Sequence, residues 1–191
     1  MKTSLLLKGL VAIVCALPIG PAYGQIHAFD ASRLSDKLDR LHEIDFENLS
    51  LGASPFSPSL PNPLTIDGVT IADPTGLSGG FCSAPTCLAD PDNPYGGNIE
   101  LILNPGATLS FATAPRLVVL DIQGIGDNPF ELLVTDEHGR DRRVQDHGVS
   151  FGQSLLGLYS GGGIRKVELV QVGGTGGPLA LASVLVGSGA R

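Results

Sequence analysis

The chain has no tryptophan, a single methionine, three cysteines, and only twelve Lys and Arg residues against nineteen Asp and Glu. Scarce positive charge with no basic cluster argues against nucleic-acid binding, which needs a cationic footprint for phosphates. Acidity of this kind serves solubility or cation affinity, and solubility is the plainer reading. Long apolar runs are missing too. Residues 179–186 are apolar but strand-sized, far short of the roughly 20 residues of a membrane-spanning helix. With aromatics at 5% of the chain, large stacking surfaces are also in short supply.

What is present begins with an export signal. Residues 1–24 carry Lys2 and Lys8 ahead of and within a Leu/Val/Ile/Ala run, then Pro18, Gly20 and Pro21, then Ala22 and Gly24 spaced as a cleavage site before Gln25. The mature chain is expected to be secreted or periplasmic, with no membrane insertion once the signal is cut. It would be more acidic still, because both lysines leave. Its length fits one domain. Cys15 departs with the signal, leaving Cys82 and Cys87 around Ser83-Ala84-Pro85-Thr86. In an oxidising compartment the simplest expectation is one disulfide closing a small loop. Two sulfurs without a nearby histidine pair make a poor zinc site.

Residues 25–43 read as a helical lead-in or linker. Leu34, Leu38 and Leu41 recur at helical spacing among charged residues, with Ser32 placed to cap the start. From residue 44 the chain changes to short strands. Ile44-Asp45-Phe46-Glu47 alternates, so Ile44 and Phe46 should be buried and both carboxylates exposed. Four prolines between 52 and 63 forbid a central strand there. Residues 64–71 resume a strand around an Asp67-Gly68 turn or bulge, and 73–97 form a long loop, functional or mobile. Ile99, Leu101 and Leu103 alternate with Asn98, Glu100 and Ile102, and Leu109 and Phe111 face inward after the Pro105-Gly106 turn.

Residues 116–144 look like the middle of an antiparallel sheet. The run 117–120 suits a strand covered on both faces. Phe130, Leu132 and Val134 share one face at period two, and a turn at 136–140 returns the chain through 142–144 as a hairpin. Glycine clusters at 161–163 and 173–177 punctuate further strands. Many short strands with Gly/Pro turns point to an all-β sandwich occupying 44–191.

The order Ile44-Asp45-Phe46-Glu47, Asn98-Ile99-Glu100-Leu101, Pro129-Phe130-Glu131-Leu132, then residues 154–169 around Gly161-Gly162-Gly163 resembles the jelly-roll domains of bacterial PEP-CTERM-type exported proteins. These are similar in architecture to discoidin-like, galactose-binding carbohydrate modules. The resemblance covers roughly 44–186. It implies an antiparallel jelly-roll β-sandwich, here with a short N-terminal helix, and a structural calcium site helped by Glu47. The closing strand of such domains holds an Asp-Asn or Asp-Asp pair where this chain has Leu181-Ala182-Ser183-Val184-Leu185, a departure from the calcium pattern. The sorting tail is replaced by residues 187–191, so anchoring by that route is not expected.

Calcium needs six to eight oxygens. Asp90, Asp92 and Asn93 concentrate them in the long loop, and Asp45, Glu47 and Asp73 could approach, although Asp-Pro and Asn-Pro are also ordinary turn dipeptides. A sugar site needs an aromatic platform with polar partners. Tyr95 between Pro94 and Gly96 is the better candidate, with Asn93 and Asn98 beside it, while Tyr159 reads as a core or edge residue. Gly76-Leu77-Ser78-Gly79-Gly80 matches a nucleophile-elbow pattern without its strand and helix flanks, so a flexible loop is the better reading of Ser78. His27, His42, His138 and His147 read as polar-turn histidines. The expectation is a non-catalytic exported binding module for carbohydrate, either polysaccharide or cell-envelope glycan, with calcium as an optional structural ion. The alternatives are a structural component of an extracellular assembly and, behind it, a secreted hydrolase.

Overall fold

Alternation of apolar and polar residues, interrupted by glycine and proline, buries a continuous surface when strands lie side by side and two such sheets face each other. The computed structural model takes this form and describes residues 25–34, 40–46, 49, 60–81, 99–124, 130–146, 153–172 and 179–187. The strands in chain order are β1 (Ile26–Asp30), β2 (His42–Asp45), β3 (Leu64–Ile66), β4 (Val69–Ala72), β5 (Ser78–Phe81), β6 (Ile99–Leu103) and β7 (Thr108–Phe111). They continue with β8 (Leu117–Gly124), β9 (Phe130–Asp136), β10 (Asp141–Asp146), β11 (Gln153–Ser160), β12 (Ile164–Val172) and β13 (Leu179–Gly187). A seven-stranded sheet runs β1-β11-β8-β13-β6-β5 with β2 also on β13, and a six-stranded sheet runs β10-β9-β12-β7-β4-β3.

The last eight strands pair in a nested series: β6 with β13, β7 with β12, β8 with β11, and β9 with β10, all antiparallel. The pairs fall alternately in the two sheets. That is the wiring of a jelly roll, one long antiparallel hairpin wrapped so that its layers face each other. Residues from both inner faces, among them Ile44, Phe46, Ile71, Leu101, Phe111, Ile122, Val134, Leu158, Val167 and Leu181, form one core.

The turns follow local chemistry. Asp67 and Gly68 both have positive φ, +47° and +81°, so Asp-Gly makes the tight connection that matches strand twist between β3 and β4. At the β9–β10 turn Asp136 is buried, and its carboxylate accepts from the backbone N–H groups of His138 and Arg140 and from the Arg140 guanidinium. Burial alone would raise its pKa; those donors outweigh burial and hold it below the ordinary carboxylate value.

Four expectations change. The stretch 116–144 is not the middle of one sheet: β8 lies in the seven-stranded sheet, while the β9–β10 hairpin belongs to the other, with β10 at its edge. The apolar run that looked like a neighbour of the hairpin lies in the opposite layer. The segment expected as a helical lead-in begins with β1, which pairs with β11 from Ile26↔Ser160 to Asp30↔Leu156. It continues in one 3-10 turn, Ala31–Leu34, whose start is capped by Asp30 accepting from Ser32. Residues 35–39, where the helix was expected to continue, lie outside the described residues. The sandwich thus starts at Ile26 rather than 44. Finally, part of the long loop, Ser78–Phe81, is a strand paired with β6.

The N-terminal segment has a packing role. Phe29, Ala31 and Leu41 cluster with Leu117, Val119, Leu155 and Leu185 on the outer face of the seven-stranded sheet. This is why the run 117–120 is apolar on both faces: Val118 and Leu120 face the core, Val119 the N-terminal cover. Burying a valine or leucine fully is worth roughly 1.5–3 kcal/mol, so this cover contributes substantially. At the same corner the Arg142 guanidinium of β10 donates to the backbone oxygen of Ile26, linking the two sheets.

Candidate functional site

Outside the N-terminal cover, the outer face of the seven-stranded sheet carries the chemistry. Leu101, Ile122, Leu181, Val184 and Ile44 point into the core, so Glu100, Asp121, Ser183 and Asp45, their neighbours in sequence, face outward at period two. Register puts Asp121 of β8 opposite Ser183 of β13, and Ser183 opposite Asp45 of β2. Glu100 on β6 comes in beside them, next to Leu101, which is aligned with Leu181. The β8–β13 register shifts between Leu181 and Ser183 at this point. On its other side Glu100 is aligned with Gly80, which presents no side chain.

Two of these carboxyls are buried, Glu100 at 6% and Asp121 at 8% exposure, whereas Asp45 is exposed. Burial, and after it the charge of Asp121, pushes the Glu100 pKa up from 4.5 to about 7. A carboxyl that keeps its proton near neutrality beside a second acid can donate a hydrogen bond or a proton. Among the described residues no three His, Cys, Asp or Glu side chains are grouped to hold a metal ion.

The other end of the same face is aromatic. Tyr159 on β11 is 40% exposed, the one large exposed hydrophobic side chain among the described residues. It lies opposite His27 of β1 and Leu117 of β8. Two positions along β11, the Phe29 ring lies over Gly157, where an added Cβ would penetrate the ring. A glycine here lets an aromatic ring lie flat on the sheet.

The residues expected at a site are distributed as follows. Asp45 joins the outward acidic row. Glu47, Asp90, Asp92, Asn93, Tyr95, Asn98, Cys82 and Cys87 lie outside the described residues, as does His147. Asp73, expected as a calcium neighbour, is instead a structural acceptor: Thr75 donates through N and Oγ1 to its Oδ1 at 2.8 and 2.6 Å, and Asn104 through N and Nδ2 to its Oδ2 at 2.7 and 3.1 Å. Burial would raise its pKa, yet these donors lower it, so the group stays ionised and committed to joining two loops. Ser78 sits within β5 opposite Ile102, in a strand and not at a strand-to-helix turn. His138 is exposed at the hairpin tip, and His42 meets Asp67 at 3.5 Å, both partners exposed.

Tyr159, Glu100 and Asp121 are the functional candidates that sequence reasoning underweighted. A signal for Asp121 was available, since a carboxyl directly continuing the apolar run 117–120 must be accommodated where both faces are covered. Tyr159 could not be placed without knowing which side of β11 faces out. No described helix is long and apolar enough to cross a membrane. No family model matches the chain, and no curated protein matches it.

Proposed function

We propose that the chain is an exported, non-catalytic binding module whose ligand is carbohydrate, either free polysaccharide or cell-envelope glycan. The observation that carries this reading is Tyr159: an exposed ring on the outer face of a jelly-roll sheet, with Phe29 on one side along the strand and His27 across from it. An aromatic face packs against the C–H face of a pyranose, and neighbouring polar groups orient its hydroxyls. The resemblance to galactose-binding-type modules points the same way, and the signal-like residues 1–24 would deliver the domain to the compartment where such ligands are found.

Structural calcium belongs to this reading through Asp45, which faces outward on β2 two residues before Glu47, with Asp90 and Asp92 as further oxygens. The ion would raise the unfolding midpoint by mass action.

The test is retention on a panel of insoluble polysaccharides and envelope glycans, with Tyr159→Ala and Tyr95→Ala run beside the unaltered protein, in EDTA and in calcium. Retention lost at least tenfold in Tyr159→Ala, with an unchanged melting curve, is expected. Retention unaffected by both substitutions would remove the aromatic platform from the argument. Self-association without any glycan retention would favour the structural-assembly reading, and release of sugars from the beads would overturn the non-catalytic assignment.

A further inference from the structure

The outermost corner of the sandwich depends on the residue next to the expected cleavage point. Ile26 is only 3% exposed, packs in the core between the sheets, is aligned with Ser160, and gives its backbone oxygen to Arg142. Gln25, one peptide bond earlier, is exposed and lies outside the strand. Once the signal is cut, the core-filling Ile26 is therefore second from a free terminus, and an aminopeptidase that removes Gln25 reaches it next.

We propose that Gln25 of the exported chain is a modification site that cyclises to pyroglutamate. Its side-chain carboxamide lies one five-membered ring away from its own α-amine. The neutral α-amine attacks Cδ, a lactam C–N bond forms, the C–N bond to the carboxamide nitrogen breaks, and that nitrogen leaves as ammonia, taking the proton that the amine gives up. No oxidant, reductant or second substrate is consumed. The structure leaves the step unobstructed: the exposed side chain has room to turn back, and the β1–β11 register starts at Ile26, so the α-nitrogen of Gln25 is not needed for strand pairing. The product is uncharged and has no free α-amine for an aminopeptidase to recognise, which preserves Ile26 and the sheet-to-sheet bond made through it.

This inference rests on the reading of residues 1–24 as a cleaved signal. The experiment is to express the full chain with its signal in a secreting bacterial host and collect the exported protein. Its intact mass is then measured after thiol reduction, with N-terminal sequencing before and after treatment with a pyroglutamyl aminopeptidase. The expected species has the mass of residues 25–191 less one ammonia, is refractory to sequencing, and begins with Ile26 after treatment. Gln25→Ala should retain its full mass, be open to sequencing, and be trimmed by a broad aminopeptidase that leaves the unaltered protein intact. An exported chain that begins with uncyclised Gln25 after prolonged incubation at neutral pH overturns the proposal alone. A terminus anywhere else overturns the cleavage reading and the proposal together.

Discussion

Replacing Glu100 with glutamine should change how stability depends on pH, and the sign follows from its burial and, after that, from the neighbouring Asp121. In the folded chain the Glu100 pKa stands at about 7, against an ordinary value of 4.5, because burial disfavours the charged form and Asp121 adds to that. The folded state therefore holds this proton more tightly than the unfolded state does. Stability from the group is fully present below pH 4.5 and is lost as the pH rises towards 7. A shift of this size corresponds to about 3 kcal/mol. Asp73 and Asp136, whose pKa values are lowered, act in the opposite sense and at pH below 3.8, outside this window. Urea unfolding between pH 4.5 and 8 should show the unaltered protein losing about 3 kcal/mol across the range. Glu100→Gln, which keeps a hydrogen-bonding group of the same shape without a titrating proton, should flatten the profile and be the more stable of the two at pH 8. A wild-type profile that is level or rises from pH 4.5 to 7, or a Gln variant with the same slope, would refute the reasoning.

Two further substitutions test the packing around the candidate site. Gly157→Ala forces a methyl group into the Phe29 ring and should destabilise by about 1–3 kcal/mol, as overpacking does. In Gly157→Ala/Phe29→Ala the two losses should fall well short of additive by urea unfolding, because the clash has gone; strict additivity would place the strain elsewhere. Ser160 is completely buried, and its Oγ has no hydrogen-bond partner among the described residues. Ser160→Ala should therefore leave stability unchanged or raise it by about 1 kcal/mol, since a desolvated hydroxyl is removed at little cost in volume; a loss above that would reveal a partner for the hydroxyl.

The parts of the fold that could be read from the sequence were those set by neighbours in the chain. Period-two alternation identified Phe130, Leu132 and Val134 as one face, Asp67-Gly68 and the 136–140 turn followed from φ preferences, and Ile44 and Phe46 were placed inward. All of these depend on interactions within a few residues. The assignment of strands to sheets does not. Whether β8 lies beside the hairpin or across from it is decided by the global wiring, in which β8 pairs with β11, thirty or more residues later in the chain. The same limit hid the site. Glu100 and Ile102 occupy equivalent positions in an alternating strand, and nothing local says that Glu100 will meet Asp121 across β13 and be buried there.

The N-terminal segment shows the same limit, because the part that precedes Ser32 is placed by a sheet edge and a core position far away in the chain. Leu34, Leu38 and Leu41 carry a helical period, and the charged residues among them favour the same state. The residues just before Ser32, the expected cap, meet a sheet edge at β11, and Ile26 has a core position to fill, so the lead-in opens with β1 rather than with loop. Of the three leucines, Leu41 becomes apolar cover against Val119 and Leu185, while the residues between Leu34 and Arg40 lie outside the described ones. That cover is laid on the outer face of the seven-stranded sheet. It divides that face, because along the β8–β11 register Val119 lies between Leu117, opposite Tyr159, and Asp121: exposed Tyr159 stands on one side of the cover, and the buried pair Glu100 and Asp121 on the other.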